Sequence, residues 1–331
     1  MASGQQKWVI AHRGASGYLP ENTLPAFAMA HGLGCDCIEL DVILSQDDQP
    51  IVLHDPYLDR LTDVNQRFSG RQRKDNLSYA LDFSSEELQQ LRVSERRDPQ
   101  GNQAFPRRFL QGHSSFEIPT LAEVVQLIQG LNHSTGKTVG LLIEIKSPAW
   151  HHQQERDLSR KVLEVLEDLS VNDNNCPIIL ESFDAPEVKR LRNELKTRFP
   201  LLQLLENNSW QESEETDYEF LLTKEGLQTL TEHVQGIAVW TGHVLEGRYL
   251  SGMPQLSSLV KDAHELGLKV YTYTLRADAL PTYVQSFEEM LHIFYYEAGV
   301  DGIFTDFPDR ANTYLRTLEY RQLPYNLDGM E

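Results

Sequence analysis

The sequence is poor in cysteine, in basic residues and in long apolar runs, and each shortage excludes a class of protein. Three cysteines, Cys35, Cys37 and Cys176, form an odd set without framework spacing, which argues against a disulfide scaffold. The cysteines and histidines also lack the spacing of common zinc sites. We therefore expect Cys35 and Cys37 to be small residues on one buried strand face. No stretch approaches the roughly 18 apolar residues that a membrane span needs.

Basic residues are outnumbered, with 30 lysines and arginines against 49 aspartates and glutamates and a formal net charge of −19. A surface that binds extended nucleic acid normally carries a basic excess, so the composition excludes nucleic acid as a partner. A small anionic substrate stays open, because a few local cations and a metal ion can reverse the potential inside one cleft. The nucleophile elbow of serine hydrolases and the P-loop are both absent from the sequence.

Apolar runs and helical periodicities alternate along most of the chain. We predict eight strands, at residues 7–11, 36–44, 139–145, 177–183, 201–205, 236–240, 269–275 and 302–305. Helices are predicted between them, at residues 23–34, 121–131, 157–169, 187–198, 224–234, 255–266 and 287–298, with a last helix after Pro308. Repeated strand–helix units indicate a parallel sheet, and eight of them indicate an α/β fold of the TIM-type (β/α)8 barrel class. An open doubly wound sheet is the alternative, but no Gly-x-Gly-x-x-Gly motif follows the first strand.

Two features interrupt this alternation early in the chain. A short apolar run at residues 50–54 follows an Asp-Asp turn, and a two-residue hairpin loop would place Asp41 opposite His54. Residues 56–119 then lose periodicity over a length that is too great for an ordinary connection. We predict a single domain over residues 1–331 with an insertion subdomain at about 56–119. The arginines of this segment either line the mouth of the site or form a solvated surface.

Three carboxylates, Glu39, Asp41 and Glu144, lie inside otherwise apolar predicted strands, where an unpaired charge is expensive. In a barrel of this type the functional residues collect at the carboxyl ends of the strands. A hard divalent cation such as Ca²⁺ or Mg²⁺, which takes oxygen ligands, would remove the cost of burying these charges. The alternative is a structural ion network with Arg13 and Lys146. We favour the metal site.

Two histidines, His12 and His54, follow predicted strands close to these carboxylates. Imidazole titrates near neutral pH, so the pair suits acid–base catalysis, although a lone histidine is more often structural. Arg13 and Lys146 would bind a phosphate group, Arg13 through its fork and Lys146 as a point charge. Together these residues predict a site for metal-assisted cleavage of a phosphodiester.

With these residues identified, the chain resembles the glycerophosphodiester phosphodiesterases, in particular their longer bacterial, periplasmic type. The resemblance covers nearly the whole chain. It rests on HRGASGYLPENTLPAF (12–27), ELDV (39–42), VLHDPYLDRLTDV (52–64), GLNHSTGK (130–137), EIK (144–146), YTLR (273–276) and TDFPD (305–309).

The resemblance implies hydrolysis of glycerophosphodiesters, such as glycerophosphocholine and glycerophosphoethanolamine, to sn-glycerol 3-phosphate and an alcohol. It assigns the metal ligands to Glu39, Asp41 and Glu144, the catalytic roles to His12 and His54, and phosphate binding to Arg13 and Lys146. One divalent cation is implied, Ca²⁺ in this longer type and Mg²⁺ in shorter relatives. Tyr273 stands where many members have tryptophan, and it is assigned to the substrate pocket. The insertion is then expected to form the wall that selects the alcohol.

Two other functions stay open at this point. A related barrel phospholipase would act on lipid phosphodiesters and should carry an apolar rim, and none is evident in residues 56–119. A non-catalytic, surface-binding homologue would lack one of the site residues, all of which are present. The opening MASGQQKWVI does not read as a signal peptide. The resemblance implies a periplasmic or secreted bacterial protein, with the cytoplasm as the alternative, and a homodimer is compatible with the sequence.

Overall fold

Eight parallel strands form a closed sheet in the computed structural model, which describes residues 6–210 and 212–322. The strands in chain order are β1 (Trp8–Ala11), β2 (Cys37–Leu44), β3 (Pro50–Val52), β4 (Gly140–Ile145), β5 (Ile178–Ser182), β6 (Leu201–Leu205), β7 (Gly236–Trp240), β8 (Leu245–Arg248), β9 (Pro254–Leu256), β10 (Lys269–Leu275) and β11 (Gly302–Thr305). The barrel order is β1-β11-β10-β7-β6-β5-β4-β2, and β1 pairs with β2 to close it. The predicted TIM-type barrel is confirmed.

Helices follow the barrel strands and cover the outside of the sheet. They are α1 (Leu24–Leu33), α2 (Val64–Arg67), α3 (Ser85–Gln89), α4 (Leu121–Thr135), α5 (Pro148–Gln153), α6 (Leu158–Asp168), α7 (Ala185–Asn193), α8 (Tyr218–Leu221), α9 (Lys224–Leu230), α10 (Thr241–Val244), α11 (Leu259–Glu265), α12 (Phe287–His292) and α13 (Pro308–Gln322). Short 3₁₀ helices lie at Ala80–Asp82 and Asn208–Trp210, and a π-helical segment, Ile293–Ala298, continues α12. None of the helices in the described ranges is long and apolar enough to cross a bilayer.

The first strand–helix unit shows how local sequence sets these boundaries. Thr23 caps α1 by accepting a hydrogen bond from the Ala26 N–H, and Gly34 ends the helix in the left-handed region at φ 85°. Gly14, in the loop after β1, approaches the same helix so closely that a Cβ there would lie 2.8 Å from the Ala26 carbonyl carbon. The loop that carries the first histidine is thereby held against α1.

The apolar core has an inner and an outer layer. The inner cluster fills the barrel with side chains from its strands, and the outer cluster lies between strands and helices. Cys37 belongs to the inner cluster and Cys35 to the outer one, so the prediction that they share one face is wrong. Cys35 precedes β2, and the alternation of a strand does not reach it. Both cysteines are buried and free, as is Cys176.

The β2–β3 hairpin differs from the predicted register by one residue. Val42 pairs with Val52, and the Leu53 N–H donates to the Asp41 carbonyl, so Asp41 lies opposite Leu53 rather than His54. The loop has three residues instead of two, because the Ser45 N–H pairs with the Gln49 carbonyl and Asp48 adopts the left-handed conformation at φ 59°. His54 still follows the hairpin at the carboxyl end of the barrel.

Residues 56–119, all of which the structure describes, contribute no strand to the barrel. They form α2, α3 and one 3₁₀ helix, joined by isolated bridges such as Tyr57 with Tyr79 and Thr62 with Val93. Their apolar side chains, together with β3 and one residue of β2, build a core of their own. The loss of periodicity in the sequence reflects this irregular architecture.

Candidate active site

A cavity of about 260 Å³ opens at the carboxyl ends of the barrel strands. Its walls come from the strand ends and from the loops that follow them. It is lined by His12, Arg13, Glu39, His54, Glu144, Lys146, Glu181, Phe183, Leu204, Glu206, Trp210, Glu212, Trp240, Tyr273, Thr274, Arg276 and Phe304. The cavity therefore brings together seven of the eight residues that the sequence predicts for the site, and the eighth, Asp41, is buried directly behind it.

The three predicted metal ligands, Glu39, Asp41 and Glu144, form one compact group. Asp41 and Glu144 are paired across β2 and β4, and one carboxylate oxygen of each residue lies within 4.8 Å of the others. All three side chains are buried, and Oδ1 of Asp41 has no hydrogen-bond partner. Burial and the neighbouring carboxylates raise the pKa values of Glu39 and Glu144. This oxygen-only set with an unpartnered buried atom fits a hard divalent cation.

Arg13 is held at the edge of this group by its backbone and its side chain. Its φ of 55° lies in the left-handed region, which is strained for arginine, and its N–H donates to Oε2 of Glu39 at 2.7 Å. The guanidinium bonds Oε1 of Glu21 at 2.8 Å, and its Nε lies 3.1 Å from Oδ2 of Asp41. The Asp41 distance is ionic only, since no N–H of Arg13 Nε is aligned with it. Arg13 thus brings a fixed positive charge to the cavity wall.

Lys146 is buried at the opposite edge of the carboxylate group. Its Nζ lies 2.9 Å from Oε1 of Glu144, 3.1 Å from Oε2 of Glu212 and 3.3 Å from Nε2 of His54. Glu144 and Glu212 raise the pKa of Lys146 against the effect of burial, so the ammonium keeps its charge. Its position beside Glu144 and His54 is suited to holding a phosphate group between the metal site and a proton carrier.

His12 is oriented by a buried carboxylate. Its Nδ1 lies 2.7 Å from Oδ1 of Asp306, whose Oδ2 accepts from Arg108 at 2.6 Å and from Arg276 at 2.9 Å. The carboxylate fixes the proton on Nδ1 and leaves Nε2 as the free acceptor. Burial and the charge of Arg13 lower the pKa of His12 to about 4, so the ring is neutral near pH 7.

His54 has the same arrangement with different partners. Its Nδ1 lies 2.5 Å from Oδ1 of Asp55, and Oδ2 of Asp55 accepts from Arg96 at 2.8 Å. Arg96 also bonds Glu21 at 2.7 Å, so alternating charges run from His54 to the Glu21–Arg13 pair. Burial and the nearby cations lower the pKa of His54. Two neutral histidines therefore present Nε2 near one group of carboxylates.

Several residues that complete the site were not given a role in the sequence analysis. Asp55 and Asp306 orient the histidines, and Arg96 and Arg108 hold those carboxylates. Asp55 could have been identified from the sequence, because it directly follows His54. So could Glu181: it is a buried carboxylate in an apolar strand, the same signal that identified Glu144.

Two expectations about the cavity wall need correction or refinement. No residue of 56–119, all of which are described, lines the cavity, so the prediction that this segment forms the wall is wrong. Arg96 and Arg108 point to the buried carboxylates instead of the mouth, because ion pairing offsets their desolvation. Tyr273 lines the cavity with its ring, while its hydroxyl donates to the Leu205 carbonyl at 2.8 Å.

A second group of metal-type side chains, His152, Asp157 and Glu187, lies outside the cavity. Arg190 bonds both carboxylates, to Asp157 at 2.5 Å and to Glu187 at 2.7 Å. Ser159 also donates to Glu187. The two carboxylates therefore already have hydrogen-bonding and ionic partners, and we interpret the group as a structural ion network.

With this geometry described, comparison with known proteins identifies the family. The sequence profile of the glycerophosphoryl diester phosphodiesterase family matches residues 12–310. The chain belongs to this family. Membership confirms the resemblance seen in the sequence and makes the chain an enzyme, a phosphodiesterase, and it leaves the metal ion and the roles of the histidines to be argued from the site.

Relatives in bacteria match over almost the full chain. A glycerophosphodiester phosphodiesterase of Haemophilus influenzae is 34% identical over 95% of this chain and 91% of its own length. The Treponema pallidum protein of the same name is 30% identical over 94% of this chain and 92% of its own length.

Solved structures share the fold. A glycerophosphoryl diester phosphodiesterase structure from Silicibacter pomeroyi matches with a TM-score of 0.72 at 24% identity, covering 96% of this chain and 95% of that one. An Oleispira antarctica phosphodiesterase, solved with the product sn-glycerol 3-phosphate, matches with a TM-score of 0.63 at 21% identity, covering 94% and 97% of the two chains.

Proposed function

We propose that this enzyme hydrolyses glycerophosphodiesters to sn-glycerol 3-phosphate and an alcohol, with His12 and His54 as the two proton carriers. The observation that carries the proposal is the pair of histidines in one cavity. In each of them a buried carboxylate binds Nδ1, which leaves Nε2 for proton transfer. A reaction that needs one proton removed and one delivered requires such a pair. The names of the family and of the two bacterial relatives supply the substrate class.

Glu39, Asp41 and Glu144 would hold one divalent cation, because their oxygens are close together and buried and Oδ1 of Asp41 has no hydrogen-bond partner. When bound, the cation would supply positive charge that neutralises phosphate oxygens in the transition state. All three side chains are carboxylates, and carboxylate oxygens are hard ligands. They therefore suit Ca²⁺ or Mg²⁺ rather than zinc. We propose Ca²⁺, as in the longer bacterial members that the sequence resembles.

The protein's own residues perform the binding and proton steps. Arg13 and Lys146 hold the phosphate oxygens, and the ion pairs they already form keep both cations fixed before substrate arrives. Nε2 of one histidine takes the proton of the attacking hydroxyl. The other histidine acts as an imidazolium, with a proton that its Nε2 takes up from solvent when the anionic substrate binds, and it gives this proton to the departing alcohol oxygen. The attacking hydroxyl belongs either to glycerol C2, which gives a cyclic phosphate that water opens, or to water itself. Phosphorus NMR of the reaction would detect the cyclic species in the first case.

The main experiment measures sn-glycerol 3-phosphate release from glycerophosphocholine by the wild type and by the His12→Ala and His54→Ala variants. Each variant should lose at least about 100-fold in kcat, since general acid–base catalysis contributes about 10²–10⁴-fold. His113→Ala, at an exposed histidine outside the cavity, is the matched control. Activity within tenfold of wild type in either cavity variant would refute the assignment.

A substrate with a good leaving group separates the two histidine roles. Glycerophospho-p-nitrophenol needs no proton on its leaving oxygen, so it should restore the rate of the variant that lacks the general acid. The variant that lacks the general base should stay slow with both substrates. Equal rescue of both variants would contradict a division of labour between His12 and His54.

A lipid phosphodiesterase activity is the second candidate, and one observation favours it. The β8–β9 hairpin carries exposed apolar side chains, Tyr249, Leu250 and Met253, which would suit contact with a lipid surface. Release of choline and lysophosphatidic acid from lysophosphatidylcholine micelles, at rates above those with glycerophosphocholine, would favour this function. Rates confined to water-soluble diesters would exclude it.

A further inference from the structure

The cavity has two chemically different sides. His12, Arg13 and Arg276 line one side, near β1, β10 and β11. The other side is lined by residues at the end of β7 and in the loop after β6: Trp240, Trp210, Glu206 and Glu212. The reacting groups account for the basic side. Lys146 pairs with Glu212, but the reacting groups give no role to the two tryptophans or to Glu206.

The tryptophans form an aromatic corner that the local sequence holds in place. Trp210 is 47% exposed and Trp240 is 36% exposed, and their ring centroids lie 5.3 Å apart at an interplanar angle of 69°. Gly242 lies under the Trp240 ring, where a Cβ would be 2.1 Å from Cζ3 of Trp240. Both rings are partly exposed and line the cavity, so they offer aromatic surface to whatever occupies it.

The carboxylates add negative charge next to this corner. Glu206 is 1% exposed, accepts the Glu212 N–H at 3.1 Å and pairs with none of the described basic side chains. Glu212 lies 3.1 Å from Nζ of Lys146, the residue placed at the phosphate. The path from the phosphate to the tryptophans therefore passes two carboxylates, one of them without a counter-ion.

We infer that this side of the cavity is a subsite for a quaternary ammonium group, so that the preferred substrate is a glycerophosphodiester of a choline-type alcohol. The inference rests on the proposed function and adds the identity of the alcohol. Aromatic faces attract cations through the ring quadrupole, and quaternary ammonium ligands are typically recognised by aromatic cages. Glu206 supplies a carboxylate without a basic partner among the described residues; burial raises its pKa to about 7, and a cation beside it would favour the ionised form.

The competing occupants fit this side less well. Glycerol and other neutral polyols would leave the buried carboxylate of Glu206 without a cation and would bring hydroxyls against the tryptophan rings. An anionic alcohol would meet two carboxylates. A primary ammonium prefers direct hydrogen bonds and is more strongly hydrated, whereas a trimethylammonium group spreads its charge over methyl groups that pack on rings.

The test compares two substrates that release the same product, glycerophosphocholine and glycerophosphoglycerol, by their kcat/KM values. The wild type should prefer glycerophosphocholine. Trp240→Leu and Trp210→Leu should each reduce that preference by about 3-fold to 30-fold, the range of a partly exposed cation–π contact, through KM more than kcat. Glu206→Gln, which keeps the shape of the side chain, should reduce it as well. Tyr249→Leu, an exposed aromatic outside the cavity, is the matched control and should leave the preference unchanged.

A binding measurement separates this inference from the proposed function. Tetramethylammonium chloride should compete with glycerophosphocholine and quench tryptophan fluorescence more than sodium chloride at equal ionic strength, and Trp240→Leu should weaken both effects. A wild type that turns over both substrates without preference, or no difference between the two salts, would overturn the subsite. If no diester is hydrolysed, the proposed function fails, and the fluorescence titration alone then decides whether the ammonium site exists.

Discussion

Replacing Asp306 with asparagine tests whether the carboxylate behind His12 sets the protonation of the ring. One oxygen of Asp306 faces Nδ1 of His12, and the other accepts from Arg108 and Arg276. An asparagine can turn only its oxygen or its amide nitrogen toward the arginines. Two guanidinium donors already occupy that side, so the amide oxygen must face them and the NH₂ group must face His12.

This orientation forces His12 into the opposite tautomer. With a donor opposite Nδ1, the ring proton moves to Nε2, and Nε2 can no longer accept a proton from an attacking hydroxyl. The same exchange in a serine-protease triad lowers kcat by about 10⁴-fold for this reason. We expect Asp306→Asn to lower kcat by about 10³-fold to 10⁴-fold. Loss of a buried charge between two arginines should also destabilise the fold by about 3 kcal/mol.

The assay measures kcat at saturating glycerophosphocholine and the free energy of unfolding in urea. Asp309→Asn is the matched control: it lies three residues along the same segment, and its carboxylate accepts from the Tyr18 hydroxyl at 2.9 Å. We expect the control to keep kcat within a few-fold of wild type. If Asp306→Asn is destabilised but retains kcat within tenfold, Asp306 is only structural and the tautomer argument is wrong.

Three further predictions follow from other parts of the site. Arg96→Met should destabilise the protein by about 3–5 kcal/mol in urea unfolding, because it removes the arginine partner of both Glu21 and Asp55, and a loss below about 1 kcal/mol would contradict the ion network. Burial raises the pKa of Glu144 to about 8, so protons compete with the cation at low pH, and Ca²⁺ should raise the Tm more at about pH 8.5 than at about pH 6. A larger shift at the lower pH, or full activity in excess EDTA, which binds both Ca²⁺ and Mg²⁺, would exclude the carboxylates as the metal site. Gly242→Ala should displace the Trp240 ring and raise KM for glycerophosphocholine several-fold, which an unchanged KM would refute.

The barrel was predictable because its strands are buried on both faces. A strand of a parallel sheet reads as a continuous apolar run, and β2 (CIELDVIL) has every residue buried. Against that background the two carboxylates of β2, Glu39 and Asp41, are conspicuous, and the same holds for Glu144 in β4. The signal that identified the fold therefore also identified the carboxylates that we propose as metal ligands.

Features that depend on partners far along the chain were not predictable. Arg108 bonds Asp306, 198 residues away, and Arg96 bonds Asp55, 41 residues away, and no local pattern distinguishes these arginines from exposed ones. The predicted hairpin register was wrong by one residue, because Asp48 adopts a left-handed conformation that lengthens the loop by one residue. The periplasmic location and the homodimer involve no contact within the chain and stay predictions.

The segment 56–119 links the two halves of the proton chemistry. It supplies Arg96 to the carboxylate of His54 and Arg108 to the carboxylate of His12, although none of its residues lines the cavity. The carboxylates proposed to hold the cation, by contrast, belong to β2 and β4, and the register of the barrel brings them together. The proposed cation site and the proposed proton carriers thus depend largely on different parts of the chain. Because the two histidines depend on one segment, changes in its packing should alter both together, while the metal site is left in place.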